Sequence, residues 1–478
     1  MFRESRRPGP AYSRTVKVPG ALVCAGASVI ALLSWGGCDA GGSPTSGASQ
    51  PAGASLSASA TASLSATTSA SAVPAAPERA PRAHRPPAQR EGNALARAAA
   101  GDALFLADED HGVVRRLELP LGGQGAARDV GQSLAREMPG RPAQVLPLDG
   151  RLLVTIRDPG LLVVMKLGDD GALAEEARVA LPGDAWGIAV SADEKLALVT
   201  SAWAHAVTAV DLESNAVLWS IDVGREPRGV VIAPDGSKAY VSHLIGDRVT
   251  RIDELRGAPR VSSFPLWPAT AKKSGAAALK RAPAGGGLAY SAVLSPDGTR
   301  LFVPRHGIGG FGPTEWFGSP KVDVVWTRDD SLLRPGYSRG PSWRSPNSFS
   351  SSSGSGLPPF VAPRSAIYRK STHTLLLASE ATDARLELDA WSVAPAEVPL
   401  RSIRVGRHYE EQARAAKQGG APTGIALSED EQTAYVFCRA TYDLVTVPLG
   451  TPRAEPAGAA PATSAIPATS AIPATSAI

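Results

Sequence analysis

Basic and aromatic side chains recur at two equivalent points of a repeated segment, and they are the best candidates for chemistry in this chain. Aligning the repeated units without gaps gives two sets of residues. The first set opens each unit and consists of Trp186, Arg228, Tyr290, Arg364 and Thr423. The second set ends the strand that follows and consists of Arg157, Ser201, His243, Arg305, Ser379 and Cys438, with His306 next to Arg305. Guanidinium groups bind both oxygens of a carboxylate or phosphate in parallel. The two sets therefore predict a site for an anionic ligand.

Two other interpretations of these residues stay open. In the first, the arginines cap strand ends and pair with loop carboxylates such as Asp247, Glu380 and Asp443. In the second, a metal ion performs hydrolysis, which needs several acidic or amide ligands converging on it. The two sets contain almost none, and the seven histidines show no metal-binding spacing. We therefore predict no catalytic residue and no cofactor, while a metal in a central channel stays open.

The elements that carry these residues follow from an internal repeat. GVVIAPDG from Gly229 is followed by KAYVSH, and similar pairs of segments start at Gly187, Ser291 and Gly424. Weaker copies start near Ala143 and Ser365, and a partial copy at Ala103 brings the number of units to seven. The apolar residues alternate with period two, which is typical of strands and excludes an α-solenoid.

The period identifies the architecture. Asp149 and Asp193 are 44 residues apart, and Asp193 and Asp235 are 42 apart. This spacing, with three or four strands per unit, is typical of propeller blades. We predict an all-β fold, a seven-bladed β-propeller. In such a meander the two residue sets lie on one face, at the mouth of the central channel.

The units resemble the YVTN-type β-propeller repeats of bacterial and archaeal surface proteins. The signature occurs as YVSH, LVTS, FVPR and YVFC, each after an Asp-Gly-like turn, and the resemblance covers about residues 101–450. It implies the fold but not one activity, since such propellers include lactonases, quinoprotein subunits and adhesion modules. Some precede a c-type cytochrome, but this sequence contains no Cys-x-x-Cys-His haem motif.

The two ends of the chain predict an exported protein. Residues 1–37 combine a basic start with a short apolar run, as a signal peptide does. Small residues before Cys38 resemble a lipobox, from which Trp35 departs, so Cys38 is the predicted lipidation site. Residues 38–95 are rich in Ala, Ser, Thr and Pro and predict a disordered tether, and 451–478 form a tail of PATSAI repeats. The propeller is placed at 96–450, with insertions at about 264–287, 306–362 and 404–421.

The charge belongs mainly to the signal. The chain of 478 residues has a formal net charge of +4, and residues 1–37 contribute five basic residues and one acidic residue. The remainder is balanced, so nucleic acid is not an expected partner. Only Cys438 among the three cysteines falls in the predicted propeller, so no disulfide is expected within it.

These features favour a lipid-anchored, monomeric binding module facing the periplasm or the cell surface. The expected partners are an envelope protein, a glycan or a small anionic ligand at the arginine-rich mouth. One alternative is a lactonase-like, metal-dependent hydrolase. The other is an accessory propeller of a c-type cytochrome or quinoprotein redox system.

Overall fold

Seven antiparallel sheets make up the fold in the computed structural model. It describes residues 84–121, 127–168, 170–266, 286–308, 319–333, 362–382, 384–391, 400–405 and 419–450. Six sheets have four strands and one has five. The predicted seven-bladed β-propeller is confirmed. The predicted signal, Cys38, residues 38–83 of the tether, the tail and the larger part of each insertion lie outside the described residues.

The first four blades are regular meanders, in which the strands run in chain order from the inner edge of the blade outward. Blade 1 holds β1 (Leu95–Arg97), β2 (Ala103–Asp108), β3 (Val113–Glu118) and β5 (Leu134–Glu137). Blade 2 holds β6 (Pro142–Leu148), β7 (Arg151–Ile156), β8 (Leu161–Leu167) and β9 (Leu173–Ala180). Blade 3 holds β10 (Ala185–Val190), β11 (Leu196–Ser201), β12 (Ala206–Asp211) and β13 (Ala216–Asp222). Blade 4 holds β14 (Pro227–Ile232), β15 (Lys238–His243), β16 (Arg248–Asp253) and β17 (Arg260–Pro265).

The last three blades are less regular. Blade 5 holds β18 (Gly286–Gly287), β19 (Val293–Leu294), β20 (Arg300–Ile308), β21 (Ser319–Trp326) and β22 (Ser331–Leu332). Blade 6 holds β23 (Pro363–Arg369), β24 (Thr374–Ser379), β25 (Ala384–Asp389) and β26 (Arg401–Arg404). Blade 7 holds β27 (Pro422–Leu427), β28 (Thr433–Cys438), β29 (Asp443–Pro448) and, as its outer strand, β4 (Ala127–Asp129). Short 3-10 turns cover Val130–Gln132 and Glu380–Thr382. None of the described residues forms a helix long and apolar enough to cross a membrane.

Hydrophobic packing between neighbouring blades holds the ring together. The described residues form seven apolar clusters, one at each junction between successive blades. Inner strands are buried on both faces, so β10, β14 and β27 are buried along their whole length. The turns that follow the inner strands need a left-handed residue. Gly236 supplies it with φ 70°, and Glu194 takes the same conformation with φ 56° where the repeat has an acidic residue instead.

A segment that precedes the first blade enters the central channel. Residues 90–93 lie antiparallel to the inner edges of β6 and β10. The Gly92 N–H donates to the Ile188 carbonyl at 2.7 Å, and the Val190 N–H donates to the Arg90 carbonyl at 2.9 Å. Asn93 and Val145 exchange both backbone bonds, at 3.2 and 2.9 Å. The chain thus rises through the channel and reaches the mouth at Ala94, where it turns into β1.

Candidate functional site

A bulge at the start of the inner strand presents the first-set residue of blades 3, 4 and 6. The pairing of inner and second strands shifts register immediately after Ala185 in blade 3 and immediately after Pro227 in blade 4. Bulges of this kind redirect a side chain and are common at functional sites. Trp186 and Arg228 lie in these two bulges. A glycine must follow Trp186, because a Cβ at Gly187 would lie 2.0 Å from the Arg228 carbonyl oxygen of the next blade.

Hydroxyl groups of the repeat fix the backbone behind these side chains. The Thr155 hydroxyl of blade 2 donates to the Trp186 carbonyl at 2.7 Å. The Thr200 hydroxyl of blade 3 donates to the Arg228 carbonyl at 2.8 Å and accepts the Gly187 N–H at 2.8 Å. The Thr or Ser of the repeat signature therefore positions the first residue of the next blade.

Five of the predicted residues form one cluster at the mouth. The Trp186 ring lies 4.3 Å from the Arg228 guanidinium carbon, 5.0 Å from that of Arg157 and 5.6 Å from that of Arg364. Arg364 also lies 4.1 Å from the Tyr290 ring centroid, and the two rings are 6.3 Å apart. Guanidinium groups over aromatic faces are attracted by the ring quadrupole. The structure thus brings together residues from blades 2, 3, 4, 5 and 6.

Two further mouth residues are not among those predicted from the sequence. Trp203, 59% exposed, lies at the rim with its ring 5.8 Å from the Arg157 guanidinium carbon. Arg439 of blade 7 pairs with Glu109 at 2.9 Å and with Asp110. Both residues come after the end of a second strand, at positions where the repeated units do not share a residue type. Arg439 is the counterpart of Arg157, and this equivalence is the signal that could have found it.

Each clustered arginine has an acidic neighbour. Arg157 binds Asp184 at 2.5 Å and also Glu109. Arg228 lies 2.8 Å from Glu226 and 3.3 Å from Asp184. Arg364 lies 3.3 Å from Glu380, a pairing with a loop carboxylate that the sequence left open as an alternative to ligand binding. These carboxylates fix the guanidinium groups, and the mouth carries both signs of charge.

Arg228 is less fully satisfied than Arg157. Burial lowers the pKa of the Arg157 guanidinium, but bonds to Asp184 and Glu109 outweigh it, so the pKa is raised. For Arg228, burial dominates over the attraction of Asp184 and Glu226, and the pKa is lowered. Arg228 is 6% exposed, no described residue accepts a hydrogen bond from its Nε, and Nη1 has only the ion pair with Asp184 Oδ2 at 3.3 Å. The Nε donor therefore remains for another acceptor, and Nη1 is held only by the longer contact with Asp184.

A small cavity opens beside this cluster. Its volume is about 40 Å³. Its polar and aromatic lining includes Trp186, Arg364, Arg439, Thr423 and Asn93 together with the acidic residues Asp108, Glu109 and Asp110. A cavity needs about 10–15 Å³ for one water-sized group, so this one takes a small polar head group.

His243 and Arg305 do not join the cluster. His243 is buried, with Nδ1 2.9 Å from the Arg225 carbonyl and Nε2 2.9 Å from the Thr250 hydroxyl. Burial lowers its pKa, and hydrogen bonds to the backbone of Arg225 and Gly224 offset this only in part. Arg305 is 3% exposed and pairs with Asp323 inside blade 5.

The register explains this division of the second set. Ile156 pairs with Pro142, whereas His243 pairs with Pro227, so Arg157 lies one residue beyond the position of His243. Arg157 follows the end of β7 and reaches the mouth, whereas His243 is still the last residue of β15 and packs inside its blade against Thr250. His306 is buried in β20, and its carbonyl accepts the Leu288 N–H at 3.1 Å.

Within the described part of the chain, no three His, Cys, Asp or Glu side chains are grouped to hold a metal ion.

Solved structures share this architecture. The chain is similar to Kuenenia stuttgartiensis hydrazine synthase at 14% identity and a TM-score of 0.53, over 79% of this chain and 99% of that one. A candidate 6-phosphogluconolactonase from Bacteroides fragilis aligns at 16% identity over 65% of this chain and 83% of that one, with a TM-score of 0.46. At such identities the likeness concerns the fold alone. No family model matches the sequence, and no curated protein matches it.

Proposed function

We propose that this protein is an exported, lipid-anchored propeller that binds a small carboxylate or phosphate ligand at its mouth, without catalysis. The observation that carries the proposal is the Arg228 guanidinium, which is buried and borders Trp186. Its Nε has no acceptor among the described residues, and its Nη1 has only the 3.3 Å ion pair with Asp184. An anion placed there accepts charge-assisted hydrogen bonds in a partly dehydrated site.

The surrounding side chains support a binding role. Asp184 and Glu109 hold Arg157 in place, and Arg157 and Arg228 both border Trp186. Such a preformed arrangement reduces the entropy that binding costs. The exposed Trp203 ring adds an apolar surface at the rim for the remainder of the ligand.

The first prediction concerns Arg228. We expect the full chain to bind inorganic phosphate or succinate in isothermal titration calorimetry, and Arg228→Gln to weaken binding at least ~10-fold, because charge-assisted bonds are lost. Asp184 keeps Arg157 as a partner in this variant, so the fold is expected to survive.

Arg260→Gln is the matched control, because Arg260 forms an exposed ion pair with Glu254 on an outer strand. It should leave binding unchanged. Equal affinities for Arg228→Gln and the parent chain, with both folded, would contradict the proposal.

Hydrolysis of a sugar lactone by the protein with added calcium or zinc ions would instead support the lactonase-like alternative. Cell fractionation of a Cys38→Ser variant tests the anchor, since loss of lipidation should release the protein from membranes.

A further inference from the structure

Asn93 provides a hydrogen-bond acceptor at the mouth, whereas Arg228 provides hydrogen-bond donors. The residue is 4% exposed, and no described residue donates a hydrogen bond to its side-chain oxygen Oδ1. Its backbone is held on both sides by Val145, at 3.2 and 2.9 Å. A buried acceptor without a donor is energetically unfavourable. A hydrogen-bond donor on a ligand would satisfy the Asn93 oxygen.

The cavity that Asn93 lines also contains cationic groups. Arg364 and Arg439 form parts of its wall together with the carboxylates of Asp108, Glu109 and Asp110, and Trp186, which also lines it, borders Arg228. With a volume of about 40 Å³, the cavity takes a head group of one or two heavy atoms, while the body of a ligand extends into the mouth.

The segment that carries Asn93 is held rigidly against the inner strands, so the site is preformed. Arg90 and Gly92 are hydrogen-bonded to the inner strand β10, and Gly92 packs closely there, since a Cβ at this position would lie 2.4 Å from Ile188 Cγ2. The acceptor is therefore fixed relative to the arginines by blades 2 and 3.

We propose, building on the proposed function, that the mouth selects carboxylates that also carry a hydrogen-bond donor, a hydroxyl or an ammonium group. The carboxylate binds at Arg228 and Arg364, and the donor group binds Asn93 Oδ1. The mouth is thus selective for hydroxy acids or amino acids over simple carboxylates.

Three dicarboxylates with one carbon skeleton test this selectivity. Succinate, malate and aspartate differ only in a hydrogen, hydroxyl or ammonium substituent at one carbon. In calorimetric titrations of the full chain, we expect malate or aspartate to bind about tenfold more tightly than succinate. The tighter of the two identifies the donor as hydroxyl or ammonium.

The Asn93→Ala variant should bind all three with affinities within about twofold of the parent's affinity for succinate. Asn93→Leu, which restores side-chain volume, should behave alike, and Gln432→Ala in a turn of blade 7 is the control that keeps the parent preference. A preference that persists in both Asn93 variants would overturn the subsite. Equal binding of the three ligands to the parent would do so while leaving the proposed function intact. Absence of binding by all three would count against both.

Discussion

At the scale of single residues, Asp108 joins the first blade to the last. It lies at the end of β2, is 2% exposed and accepts hydrogen bonds from the Tyr442 hydroxyl and from Arg115 Nε at 2.7 Å. His111 Nδ1 lies 3.0 Å away, and the His111 ring packs 4.7 Å from that of Tyr442. Burial raises the pKa of the Asp108 carboxyl, but the bonds from Tyr442, Arg115 and His111 outweigh it and lower the pKa.

This carboxylate predicts an acid-dependent loss of stability. Because its folded-state pKa lies below the unfolded value near 3.8, its contribution is complete above that value and disappears as the pH falls through the folded-state pKa. Asp108→Asn should melt at a lower temperature than the parent at neutral pH, and the two should converge as the pH falls below 3.8 and through the folded-state pKa. Circular dichroism melts across this range measure the difference. Asp222→Asn, at an exposed strand end, should follow the parent, and a constant offset for Asp108→Asn would contradict the interpretation.

At the scale of elements, the second strands of blades 2, 3 and 4 position the start of the next blade through a hydroxyl group. Thr200→Val removes the hydroxyl that binds both the Arg228 carbonyl and the Gly187 N–H. Leaving these buried groups without partners should lower the free energy of unfolding by about 1–3 kcal/mol. Urea denaturation measures the change. Thr200→Ser keeps the hydroxyl and should retain most of the stability, so equal losses for Val and Ser would show that the methyl group, not the hydrogen bond, matters.

The same elements explain how far the sequence predicts the site. Residues at the start of the inner strands are marked by the repeat, and Trp186, Arg228, Tyr290 and Arg364 do meet at the mouth. Placing the second set correctly requires the pairing register of the second strand to be known to within one residue. The gapless alignment of the repeats is wrong by one residue at Arg157. Aligning the hydroxyls of Thr155 and Thr200 would have supplied the register. Trp203 and Asn93 belong to a loop and to the segment before the first blade, where no repeat constrains the prediction.

At the scale of the whole molecule, the ring closes through a strand that the repeat does not contain. β4 belongs to a loop of blade 1, yet Ala127, Arg128 and Asp129 pair with β29 of blade 7. The three residues have no alternating pattern, and their partner lies near the other end of the fold, so the sequence offers no signal for this pairing. Val130, fully buried beside Leu444 and Phe437, anchors the strand in the core between blades 1 and 7.

Closure at this junction determines which part of the ring opens first. Since each blade packs only on its neighbours, weakening one junction frees the blades beside it before the others. Val130→Ala should lower the free energy of unfolding by about 1–3 kcal/mol. Amide exchange should accelerate in β29 and β4 while β14–β16 of blade 4 stay protected. Val261→Ala, at a position 45% exposed on β17, should change neither quantity. Uniform acceleration around the ring for Val130→Ala would mean that the blades open as one cooperative unit, and that β4 stabilises all seven blades rather than the last.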